Sequence, residues 1–74
     1  MKAIVKNKIK KLEELKSNIE KDITKYPYSD TKIILDECMS SINNKTKDKQ
    51  EVILNLSLIG YVYTIKDLYL EHYL

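Results

Sequence analysis

Only two residues in this 74-residue chain are strong breakers of regular structure, Pro27 and Gly60. The turns of a β-sandwich or barrel call for Gly and Pro at short intervals, and a phosphate-cradling loop needs several Gly together. Neither supply exists here. The chain is restricted to a few helices joined by short polar connections. Its length allows one domain, residues 1–74. A chain of this size buries only about 60–65% of the surface its unfolded form exposes, so its core is thin. Hydrophobic residues make up 43% and charged residues 32%, which separates it from a disordered tail.

The first helix is written in the spacing of Val5, Ile9, Leu12, Leu15, Ile19 and Ile23. These steps average one α-helical turn, an ordinary helix and not a strict heptad. Glu14, Ser17, Asn18 and Lys21 supply its outer face. Tyr26-Pro27 closes it, because a residue before Pro is pushed out of the α region. The expected span is 3–25. Ser29 and Asp30 are N-cap types for a second helix over 30–43. Its apolar side is Ile34, Leu35, Cys38, Met39 and Ile42. Asn43-Asn44 can end it in the left-handed conformation. Asp48 and Glu51 resemble a capping box for a third helix over 49–71.

That third helix is the unusual one. From Val52 to Ile65 there is no charged residue. Fourteen residues are too few to span a bilayer, which takes roughly 18–20. Two apolar stripes occur, Val52, Leu56, Ile59 and Tyr63, and Leu54, Leu58, Tyr61, Ile65, Leu68 and Tyr69. Together they exceed the stripe of about 100° that an ordinary surface helix buries. Gly60 between them points to close packing against another helix, or else to a kink. Either core packing alone accounts for this apolar surface, or it is an extra contact surface covered by a second copy, a partner protein or lipid.

The chemistry of catalysis is hard to find. The one His, His72, has no nucleophile or Cys at a readable spacing, and the one Cys, Cys38, sits on an apolar stripe. Zinc sites need more Cys and His than this, and a disulfide framework needs more Cys. No metal site, cofactor or enzymatic activity is expected. All 13 basic residues are Lys. Without Arg there is no bidentate fork for phosphate and little to read base edges, so a nucleic-acid partner is not expected. Lys2, Lys6, Lys8, Lys10 and Lys11 crowd the first helix and suit either plain solvation or the anionic inner face of a membrane. The charges continue where a secretory signal would place its apolar run, and a lone Cys suits a reducing compartment, so the expected location is cytoplasmic.

The stretch Gln50 to Gly60, and within it Asn55-Leu56-Ser57-x-Ile59-Gly60, followed by Leu68-Tyr69 and Tyr73, resembles the closing helix of the enterocin A type (pediocin-like, class IIa) bacteriocin immunity proteins. Tyr28-Ser29-Asp30 leading into Ile34-Leu35 is similar to the start of that family's second helix. The resemblance covers about two thirds of the chain. It implies a cytoplasmic antiparallel helical bundle without catalytic activity. It also implies protection against a pore-forming class IIa peptide, through binding of the mannose phosphotransferase permease with its bound bacteriocin at the inner membrane face. The family's specificity lies in its C-terminal half, which corresponds here to Tyr61, Tyr63, Lys66, Tyr69, His72 and Tyr73. Leu58 on the same helix joins them as an expected partner-binding residue.

The family has a four-helix bundle, and this chain lacks one helix. The expectation is therefore an all-α, three-helix antiparallel bundle whose last helix runs parallel to its first, with a homodimer completing the bundle between chains. The competing expectation is a small helical interaction or regulatory module with no bacteriocin role, using the same surface to bind another helix.

Overall fold

The structure, a computed structural model, describes residues 2–74, with side chains from Ala3 onward. Helix α1 spans Lys2–Lys21, a 3-10 turn spans Ile23–Lys25, α2 spans Tyr28–Ser40 and α3 spans Lys49–Tyr73. Among the described residues there is no strand.

Helix α1 ends four residues before the expected point, and Asp22 is the cause. Its backbone is extended (φ −160°, ψ 90°), and its carboxylate accepts the Thr24 N–H at 3.1 Å and the Thr24 hydroxyl. An Asp that bonds the backbone two residues on offers the chain an alternative to the helix ladder. The 3-10 turn and Pro27 then redirect the chain.

Helix α2 begins at Tyr28, with Pro27 in the N-cap place and no side-chain cap. The Pro27 carbonyl instead takes the Asp30 and Thr31 N–H groups. Ser29 and Asp30 are thus in the first turn and not at the cap, where the Asp30 carboxylate opposes the positive end of the helix dipole. No residue other than Gly has a positive φ among the described residues, so Asn43-Asn44 does not end α2 in the left-handed region. Two hydroxyls do the work: Ser40 Oγ donates to the Glu37 carbonyl and Ser41 Oγ to the Cys38 carbonyl.

Helix α3 starts as the sequence indicates, with one addition. Asp48 accepts the Gln50 and Glu51 N–H groups at 2.9 and 3.5 Å. In a capping box Glu51 would accept the Asp48 N–H directly. Here Thr46 stands between them: the Asp48 N–H donates to Thr46 Oγ1, which donates to Glu51 Oε2 at 3.1 Å. The relay ties the loop to the helix it opens.

Gly60 neither kinks α3 nor lies against another helix. The helix runs unbroken to Tyr73, and a Cβ built on Gly60 would meet nothing within 4 Å. The expected close packing is therefore absent among the described residues.

The core consists of Val5, Leu12, Leu15 and Ile19 from α1, Leu35 and Cys38 from α2, and Leu58, Val62, Ile65 and Tyr69 from α3. On α3 the enclosed positions are Glu51, Asn55, Leu58, Val62, Ile65 and Tyr69, alternating steps of four and three. On α1, Val5, Leu12 and Ile19 stand seven apart and are buried, Ile9 is half-buried, and Ile23, half-buried as well, falls in the 3-10 turn beyond the helix.

Lys6 lies beside Gln50, Ile53 and Leu54; Tyr61 Oη donates to Glu13 at 3.2 Å; and Ile19 and Thr24 line a cleft with Leu68 and His72. The start of α1 therefore meets the start of α3, and end meets end. Helix α2 meets α3 the other way round. Thr31 near its start bonds Tyr69, and Asn43 just past its end accepts from Asn55 Nδ2 at 3.3 Å.

Candidate interaction surface

Tyr69 organises the end of the molecule where α2 begins and α3 ends. It is only 4% exposed. Its hydroxyl donates to the Tyr26 carbonyl at 2.7 Å and lies 2.8 Å from Thr31 Oγ1. A phenol has one proton, so Thr31 is the donor in the second bond. Thr31 is buried, an apolar-face position that hydrophobic spacing alone does not reveal. Burial holds the Tyr69 phenol above its ordinary pKa, and the Thr31 hydrogen bond acts in the opposite direction.

The anchored ring becomes a platform. Tyr28 meets it edge-on with centroids 5.1 Å apart, and Tyr73 lies nearly parallel to it at 6.4 Å. His72 touches the Tyr73 ring edge-on at 4.6 Å. Tyr28, Lys66, Tyr69, Leu70, Tyr73 and Leu74 enclose a cleft of about 360 Å³ with an almost wholly apolar lining. The Lys66 ammonium is its one cationic group, and it reaches over the Tyr63 ring, 5.7 Å from the centroid. Aromatic walls with a single cation favour a macromolecular or apolar contact over bond-making chemistry.

The seven residues expected to bind a partner divide. Tyr73 is exposed and Lys66 half-buried in the cleft wall, Tyr63 is exposed beside Lys66, and Tyr69 contributes to the cleft from within the core. His72 is exposed at the margin, on the cleft it shares with Ile19 and Glu20. Tyr61 is on another flank, half-buried and bonded to Glu13. Desolvation, then the Glu13 carboxylate, raises the Tyr61 phenol above its ordinary pKa. Leu58 is 0% exposed and has no surface to offer. It secures α3 in the core because it occupies the enclosed seam. Tyr28, Leu70 and Leu74 are cleft residues that the sequence did not single out. Tyr28 joins only because Pro27 starts α2 early enough to swing it against Tyr69.

The basic residues of α1 do not form one face. Lys6, Lys10 and Lys11 are exposed and Lys8 is half-buried. Lys2 has its side chain outside the described residues. Lys8 and Lys11 lie on the side nearer α2, where they partly offset the effect of burial, which pushes the Cys38 thiol up. Among the described residues no cluster of three His, Cys, Asp or Glu could hold a metal ion. No helix among them is long and apolar enough to cross a membrane. Comparison with family models, curated proteins and solved structures finds no match to this chain.

Proposed function

We propose that this chain is a non-catalytic antiparallel three-helix bundle that works by docking a protein partner at the tyrosine cleft. The observation that carries this is the cleft itself, in which Tyr28, Tyr69 and Tyr73 present pre-ordered aromatic surface beside Lys66. Rigid, partly wet tyrosines lose little entropy on binding and are frequent binding hot spots.

Within that class, the particular role is immunity toward a class IIa bacteriocin. The support is the resemblance carried by Asn55 to Gly60, Leu68-Tyr69 and Tyr73. The partner is the mannose phosphotransferase permease holding the bacteriocin, met from the cytoplasmic side of the membrane. The lysines of α1 add long-range attraction to that anionic surface.

Expression in a bacteriocin-sensitive strain tests this. Protection against at least one of a panel of class IIa peptides is expected. Tyr73→Ala should abolish it without altering the helical circular dichroism, because Tyr73 is exposed. Unchanged sensitivity across the panel removes the immunity role. A soluble partner whose capture depends on Tyr73, with no change in sensitivity, favours the regulatory-module reading.

A further inference from the structure

The side of α3 opposite its enclosed seam carries a second seam. Lys49, Ile53, Leu56, Gly60, Tyr63 and Asp67 follow one another in steps of four, three, four, three and four, and all six are exposed. This is the same alternation that marks the enclosed seam of α3, displaced to the opposite side of the helix. Ile53 and Leu56 are each 63% exposed and Tyr63 is 59% exposed. Alternating steps of this kind keep a line of residues facing a neighbouring helix along its whole length.

The order of residues in the seam indicates which helix. Read from either end toward the middle, the seam pairs Lys49 with Asp67, Ile53 with Tyr63 and Leu56 with Gly60. Each pair is complementary: cation with anion, aliphatic with aromatic, large with small. A second α3 laid antiparallel across a two-fold axis beside residue 58 meets these pairs between copies. We propose that the chain self-associates through this seam, as an antiparallel α3–α3 pair. The open space around Gly60 then receives Leu56 of the other copy, in the shallow hollow lined by Ser57, Gly60, Tyr61 and Thr64.

Charge and area both support this occupant. On the seam itself the charge at the start of α3 is Lys49, with Lys6 beside Ile53, and the charge at the other end is Asp67; Asp48, Glu51 and Lys66 lie at positions off the seam. Antiparallel pairing sets the two signs against each other at both ends and opposes the two helix dipoles. An anionic bilayer would instead meet Asp67 at one end of the apolar stripe. The seam is about 28 Å long. Pairing through it buries on the order of 1,000 Å² in total, at the small end of specific interfaces. The tyrosine cleft is left largely outside the contact, so this proposal stands independently of the function above.

Analytical ultracentrifugation across 5–300 µM provides the test. A reversible dimer is expected. Leu56→Glu, at an exposed position, should weaken it at least 30-fold while the far-ultraviolet circular dichroism stays unchanged. Lys49→Asp and Asp67→Lys should each weaken it severalfold by setting like charges opposite, and the two together should restore it. A monomer throughout that range overturns the proposal. So does a dimer indifferent to Leu56→Glu, or a double variant that stays as weak as the singles. A monomer that binds vesicles of phosphatidylcholine and phosphatidylglycerol through Leu56 also overturns it, and assigns the seam to lipid.

Discussion

Replacing Tyr69 with Phe removes one oxygen and isolates the device that fixes α2 against α3. In the parent, Thr31 donates to Tyr69, and Tyr69 donates to the Tyr26 carbonyl, at 2.8 and 2.7 Å. Both bonds go in Tyr69→Phe, while the ring and its contact with Tyr28 remain. Each such bond contributes roughly 1 kcal/mol net, and a buried group left without a partner costs somewhat more. Thr31 recovers part of this, since a helical Thr hydroxyl can turn to the carbonyl four residues back. The expected loss is about 2 kcal/mol, a large share of the few kcal/mol that hold a domain this small. Urea unfolding followed at 222 nm should show a lower midpoint with an unchanged slope, and melting should fall by about 10 °C. Thr31→Val should cost about 1 kcal/mol, and the double variant less than the two added together, because both act on the same chain of bonds. Burial also holds the Tyr69 phenol above its ordinary value of 10.0. The unfolded chain then releases that proton first, so the associated stability is intact below about pH 10 and falls as pH rises through the folded value. Tyr69→Phe should flatten that fall. A Tyr69→Phe protein within about 0.5 kcal/mol of the parent would refute the role given to the hydroxyl.

Asn55 is 6% exposed, and Asn55→Leu, which removes its bond to the Asn43 carbonyl and inserts a larger side chain, should destabilise the fold by about 1 kcal/mol in chemical denaturation. Asp48→Ala removes the acceptor of two helix N–H groups and should cost about 1 kcal/mol, read as early loss of amide protection in the first turn of α3. Gly60→Ala should stabilise α3 by about 1 kcal/mol of helix propensity, read as a higher melting temperature, since the added methyl meets nothing among the described residues.

Helix α3 shows where the sequence is informative and where it falls short. Its existence, its start at Asp48 and its excess of apolar surface all follow from local chemistry. Which face turns inward does not. Apolar residues surround the helix, so hydrophobicity alone gives no direction. The chain encloses Glu51 and Asn55 and leaves Val52, Ile53 and Leu56 outside. Polar groups decide the matter. Asn55 reaches the Asn43 carbonyl, Glu51 secures Thr46, and Tyr69 needs Thr31 and the Tyr26 carbonyl, all on one side of the helix. Those partners come from distant or irregular segments, beyond the reach of a periodicity count. The same gap explains Leu58. Its spacing marks it as apolar but cannot say whether it faces the core or a partner. The end of α1 is hidden from the sequence for a related reason. Ile23 keeps the apolar spacing going, while Asp22 has already diverted the backbone.

The shared direction of α1 and α3 polarises the molecule along its 39 Å length. Two helix N-termini stand together at one pole with Lys6, Lys45, Lys47 and Lys49, while Glu20, Asp67 and Glu71 lie toward the other. Parallel dipoles add where antiparallel ones cancel. Such a rod experiences a torque near a negatively charged wall and turns its lysine-rich tip toward it. Tyr69, about 30 Å along α3 from Lys49, then points away from the wall. Whatever the tyrosines grip has to project that far to reach them.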